Sequence, residues 1–295
     1  MPDATLGQGK QILDLLLREQ DPRGFAQSLI ENWGDVRRIG RQGGVLPVVG
    51  VGSQVNPFAS EVSPINYKKA YSVRYQPDPV MLQSGAILSF FPELDQTHVK
   101  AIAWRLSFSD RSVDGLYVVP KPSALARIMG IDDPYGAGWG ELTRRSLFES
   151  LAKQRSFAVF FQSQFGPGVF RLRDSVWGCL KSLEVKQPGD FLVFPGRTGI
   201  LYEGYSVRNT RWHVERRDEW LLPTYCVGWM LVANKDRLRN EEDLWIACPG
   251  DELRLSPEDS EFSHCPYFRC TDSLSLAADA ISSHSADIGS AVGLK

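Results

Sequence analysis

The order of local periodicities along the chain restricts its fold more than any single motif does. Ile12, Leu15 and Leu16 share a helical face, and Phe25, Leu29 and Trp33 continue at helical spacing after the start signal Asp21-Pro22, which predicts a helical pair in the first forty residues. The Gly43-Gly44 doublet then introduces a β-branched run at 45–49, and prolines 57, 64, 77 and 79 mark extended loops around one short strand at 71–75. Ile102, Trp104, Leu106 and Phe108 alternate with smaller or polar residues, the two-residue period of a half-buried strand over 98–108.

A strand is expected at 116–119, followed by a helix capped by Ser123 and ending at Gly130. Helical stripes cover 141–153 and 176–183. Strands are expected at 191–194, 200–203, 225–232, 244–247 and 267–269, with Pro195-Gly196 and the Pro-Gly-Asp triplets at 188 and 249 as turns between them. Helices, strands, helices and then mostly strands predict an α+β protein rather than a regular βαβ repeat: a mixed or mainly antiparallel sheet with helices on one side and an N-terminal helical pair. The expected division is a helical segment at 1–42, an α+β core at 43–275, and a flexible or weakly structured tail at 276–295, with a poorly signalled final strand as the alternative for the tail.

Composition bounds the function classes. A chain of 295 residues with 43% hydrophobic and 23% charged residues can bury a sizeable core, and neither disorder nor a fibrous repeat is favoured. The net charge of −2 removes the overall basic field of many nucleic-acid binders, so nucleic acid is possible as a partner but not favoured. Five cysteines are odd in number and too sparse for a disulfide scaffold, the N-terminus lacks the layout of a secretory signal, and there is no long apolar run. The expectation is a cytoplasmic protein without a membrane span.

The nearest thing to a site is the stretch from Gly199 to Trp220, where arginines alternate with aromatic residues. Arg208, Arg211, Arg216 and Arg217 are suited to phosphate or carboxylate, and Tyr202, Tyr205 and Trp212 to stacking on a ring. Glu203, Glu215, Asp218 and Glu219 lie close enough to neutralise this charge as ion pairs, and the balance favours such a structural network over an anion cleft. Ser206 lacks the second glycine of a nucleophile elbow. His213-Val214-Glu215 has the spacing of a zinc deaminase without its cysteine pair. Asp174 with Glu184 and Lys186 is a loose version of a nuclease acid–acid–lysine set. His264, Cys265, Cys270 and Cys248 have poor zinc spacing, and no metal ligand set or cofactor is assigned.

With aromatic and arginine residues abundant and paired acid–base machinery missing, the expected function is a non-catalytic binding or accessory protein. It would recognise a protein or an anionic small ligand through Tyr202, Arg208, Arg211, Trp212 and Arg217. The alternatives are a metal-dependent phosphoesterase or nuclease using Asp174, Glu184, Lys186, His213 and Glu215, and a nucleotide sensor.

Overall fold

The computed structural model describes residues 56–64, 75–106, 113–161, 165–166, 168–256 and 260–295. The expected N-terminal helical pair, the 45–49 strand and almost all of the 71–75 strand lie outside them. The chain divides into two compact units, Met1–Ala59 and Ser60–Lys295, and the fold below belongs to the second.

Two short helices open it, α1 (Val80–Leu88) and α2 (Val99–Arg105), followed by β1 (Gly115–Pro120) and α3 (Pro122–Met129). Proline in the first turn of α3 and Gly130 with φ of 64° just past its end are the local reasons for its limits. Lys121, not Ser123, holds the N-cap position. Next, α4 (Trp139–Leu142) runs through a π-helical segment, Thr143–Phe148, into α5 (Glu149–Gln154). Then come β2 (Phe157–Val159), β3 (Phe170–Leu172), α6 (Asp174–Lys186), β4 (Phe191–Glu203), α7 (Val207–Val214), β5 (Glu219–Leu221) and α8 (Thr224–Ala233). The chain ends in β6 (Trp245–Ala247), β7 (Asp251–Leu253), β8 (His264–Cys270), β9 (Leu274–Ala280) and β10 (Ile288–Leu294).

These strands form one mixed sheet in the order β1-β4-β10-β6-β8-β7-β3, with β5 beside β10 and β9 linking β8 to β2. Two pairings are parallel, β10 with β6 and β2 with β9, and the others are antiparallel. The α+β expectation therefore holds. Alternation along β8 sends Phe268 and Cys270 into the main core with Trp139, Trp229, Leu147 and Phe194. Cys265 and Tyr267 point to the other face, where a smaller cluster includes Val207, Ala247 and Ala277.

Two buried glutamines complete the edges of the β1–β4 pair. Val118 and Val193 are register partners, so their backbone groups on the outer sides need other bonds. On the β1 side, Gln83 accepts from Val118 N at 2.9 Å and donates to Leu116 O at 2.8 Å. On the β4 side, Gln187 accepts from Val193 N and donates to Val193 O, both at 2.8 Å. Each primary amide stands in for a strand backbone. The same outward orientation places the nitrogen of Pro195 on the side away from β1, so proline sits inside β4 opposite Leu116 without breaking that ladder. The expected turn at Pro195-Gly196 is accordingly absent, and 191–203 is one strand.

Two expected strands are helices. Over the described part of this segment, 98–106, the buried side chains are Val99 and Ile102, three residues apart, whereas Trp104, assigned by alternation to an inner face, is 83% exposed. Residues 224–233 are buried at every position, so α8 carries no amphipathic signal, and a uniformly apolar run does not distinguish a core helix from a core strand. The segment expected as a loose tail supplies β10 in the middle of the sheet. There Gly199, with φ of 113°, faces Gly289, and a Cβ on Gly199 would lie 2.8 Å from the Gly289 carbonyl oxygen.

Candidate recognition site

The arginine-rich segment folds as the amphipathic helix α7. Ser206 caps it by accepting from Asn209 N at 3.1 Å, which explains this serine without a nucleophilic role. Arg208 donates Nε to Glu61 at 2.7 Å and pairs through a second guanidinium nitrogen with the same carboxylate, which also accepts from the Ser206 hydroxyl at 2.7 Å. The Arg208 guanidinium and the Ser206 hydroxyl hold Glu61 below the usual carboxylate range despite the desolvation of its site.

Arg211 points inward. It is 6% exposed and donates Nε to Pro249 O at 3.1 Å and Nη2 to Asp251 O at 2.7 Å, so it fastens α7 to the β6–β7 connection. Burial pushes its pKa down to about 10. Asp251 is wholly buried, accepting from Trp139 Nε1 at 2.9 Å and from Thr224 N, at the first turn of α8, at 2.5 Å. Desolvation outweighs those hydrogen bonds and raises its carboxyl to about 7.

Tyr202 is 2% exposed and donates to Glu219 Oε2 at 2.6 Å, while Arg197 forms a buried ion pair with the other oxygen. Arg217 donates to the Tyr202 hydroxyl at 3.3 Å. Burial raises the Tyr202 phenol well above its ordinary value. His213 lies among Tyr202, Tyr205 and Trp212, with ring centroids 6.3, 5.6 and 5.1 Å away. Trp212 is half-buried beneath Arg216, whose guanidinium carbon is 4.1 Å from the indole centroid. Glu215 faces Arg173 at 3.6 Å. Of the expected recognition residues, Tyr202 and Arg211 are therefore core contacts, while Arg208, Trp212 and Arg217 retain partial exposure. Among the described residues the segment is tied into the fold by these hydrogen bonds, ion pairs and ring contacts.

The expected catalytic acids are not brought together. Asp174, Glu184 and Lys186 all lie on α6, with Asp174 and Glu184 separated by roughly 15 Å of helix axis. Residues two apart on a helix do not face each other, so Glu184 and Lys186 leave the axis in different directions. Glu184 Oε1 instead accepts from Ser123 N at 3.3 Å. Its backbone carbonyl and that of Gln187 accept from the Lys121 ammonium at the helix C-terminus, where burial lowers the pKa of that lysine.

His264 and Cys270 stand at opposite ends of β8, roughly 20 Å apart. Cys265 hydrogen-bonds to Cys248 O at 3.2 Å, and burial pushes its thiol up to about 12. Among the described residues no group of three or more histidine, cysteine, aspartate or glutamate side chains is placed to hold a metal ion.

A different surface was missed by the sequence reading. The α1–α2 corner and β1 form a groove of about 430 Å³ lined, among the described residues, by Pro79, Val80, Met81, Lys100, Ala103, Trp104 and Leu116. Trp104 stands on its rim, 83% exposed, and Leu82 and Met81 are exposed beside it. The missed signal was Trp104 at i+4 from Lys100, a pair meaningful only once 99–105 is helical.

Comparison of the chain with protein-family models, with curated proteins and with solved structures finds no match. Among the described residues no helix is long and apolar enough to cross a membrane.

Proposed function

We propose that the protein is a non-catalytic binding protein of the cytoplasm that holds a protein partner on the α1–α2 face. The observation that carries this reading is Trp104, a large aromatic side chain 83% exposed at the rim of an apolar groove. Interface energy concentrates in such residues, because burying a tryptophan in a partner's pocket removes a large apolar area from water. Five free thiols, four of them buried, support the reducing compartment.

The experiment is affinity capture from cell extract with the wild-type protein and with Trp104→Ala, matched for thermal unfolding. A partner retained by the first and lost by the second supports the reading. Equal capture by both removes the α1–α2 face from recognition.

A second reading, an anionic ligand at α7, draws on the half-buried Trp212 stacked against Arg216 and on the partial exposure of Arg208. Binding that weakens steeply with salt and fails in Trp212→Ala would favour it. The metal-dependent hydrolase draws on no such grouping, because its residues are divided between α6 and the network of α7, whereas a nucleotide sensor would use the same arginine and tryptophan side chains as this second reading.

A further inference from the structure

Asp251, at the start of β7, is the one described acidic residue that is 0% exposed. Its Oδ1 accepts from Trp139 Nε1 on α4 at 2.9 Å and its Oδ2 from Thr224 N on α8 at 2.5 Å, both neutral donors. The Thr224 hydroxyl beside them is buried without a hydrogen bond among the described residues, and a hydroxyl can donate to a carboxylate or accept from a carboxylic acid. The other groups facing the carboxyl are Arg211 from α7, Cys226 from α8, Cys248 from the β6–β7 connection and Cys265 from β8, while β3 opposes it with Leu172. Burial raises all three thiols, so they are neutral around pH 7 and Arg211 is the one charge facing Asp251 among the described residues. Arg211 is committed to backbone, donating to Pro249 O and Asp251 O rather than to the carboxyl. Arg173 and Glu252, which face Arg211 in turn, pair with each other.

We propose that Asp251 is a proton-operated latch for α7. With the carboxyl protonated, Arg211 stays on Pro249 O and Asp251 O and holds the helix to the β6–β7 connection. Loss of the proton leaves a negative charge in the core, and a buried charge is costly unless it is paired. The ionised carboxylate therefore competes with Pro249 O for the guanidinium, because a charge-assisted bond is stronger than one to a neutral carbonyl. Each time Arg211 turns towards the carboxylate, α7 gives up part of its hold on the connection. The same helix carries the partly exposed Arg208 and Trp212, so the latch makes that surface responsive to pH. Burial of the carboxyl, which raises it to about 7, puts the responsive range at and below neutral pH.

The test is hydrogen exchange of the full chain from about pH 5 to about pH 8, read by NMR and corrected for the intrinsic pH dependence of exchange, on the wild type and Asp251→Asn. Protection of the α7 amides in the wild type should fall by up to about tenfold per pH unit as pH rises to about 7 and level off above it, the form set by one proton released on opening. Asp251→Asn, neutral at every pH, should hold α7 protection constant. The wild type supplies a second reading that needs no variant: the Trp139 Nε1 proton, donated to the same carboxyl, should shift with a midpoint near 7. Protection of α7 that is independent of pH, or that varies equally in Asp251→Asn, would overturn the latch. So would a Trp139 signal that does not titrate. An equal pH response in α1, which supplies no group to this junction, would reduce the effect to a uniform loss of stability and overturn it as well.

Discussion

Arg211→Ala separates a structural arginine from a ligand-binding one. The substitution deprives Pro249 O and Asp251 O, both at buried residues, of their guanidinium donors. Each buried carbonyl left without a partner costs about 1 to 3 kcal/mol, and the vacated volume adds to that. Removing a buried cation returns part of the loss, since its own desolvation is unfavourable. The net expectation is a destabilisation of about 2 to 4 kcal/mol. For a unit of this size, roughly 2 to 4 °C per kcal/mol gives a drop of about 4 to 16 °C in the unfolding midpoint. Arg208→Ala provides the contrast, because its ion pair with Glu61 is partly solvated and Ser206 still donates to that carboxylate, so a much smaller loss is expected. Differential scanning calorimetry of the two variants is the assay. An Arg211→Ala midpoint equal to that of Arg208→Ala or the wild type would refute the assignment of Arg211 to the core network.

Three further outcomes follow from the same geometry. Asp251 binds its proton more tightly folded, with a pKa of about 7, than at its ordinary value of 3.8, so its contribution to stability is present at low pH and is lost as pH rises from about 4 to 7. Subtracting an Asp251→Asn denaturation series cancels the other groups, and the wild type should lose about 4 kcal/mol relative to the variant across that window, at about 1.4 kcal/mol per pH unit; a flat difference would contradict the burial argument. Gln187→Met should cost about 2 to 4 kcal/mol by leaving both backbone groups of Val193 unpaired, and should accelerate hydrogen exchange of the Val193 amide relative to Tyr117. Trp104→Ala should change stability by less than about 1 kcal/mol in denaturant unfolding, because an 83% exposed side chain gives up little packing.

Legibility in the sequence followed the strength of local contrast. The helices at 141–153 and 176–183 announced themselves through periodicity, because each places polar residues against an apolar face, whereas the strand at 116–119 was legible as a short apolar run ending at Pro120. α8 did not, since it is buried all round and its residues satisfy helix and strand patterns equally. β10 was hard to read because the sheet demands small residues there: a Cβ at Gly289 would strike the Gly199 backbone, and one at Gly293 would strike the Trp220 ring. A strand selected for close approach lacks the bulky residues by which strands are recognised. The Arg and Trp content of 199–220 was visible, but its orientation was not. Whether an arginine pairs outward, as Arg208 does, or inward, as Arg211 does, depends on helical phase and on acceptors at positions 61 and 249 to 251, far away in sequence. The exposed α1–α2 surface was hidden for a related reason: read as a strand, 98–108 puts Trp104 in the core.

The most direct measurement of where recognition resides is the dissociation constant of a captured partner for Trp104→Ala and for Trp212→Ala. The account predicts that Trp104→Ala weakens binding at least tenfold while Trp212→Ala leaves it within about twofold of the wild type. The reverse pattern would return recognition to the arginine-rich helix and contradict the assignment to the α1–α2 groove.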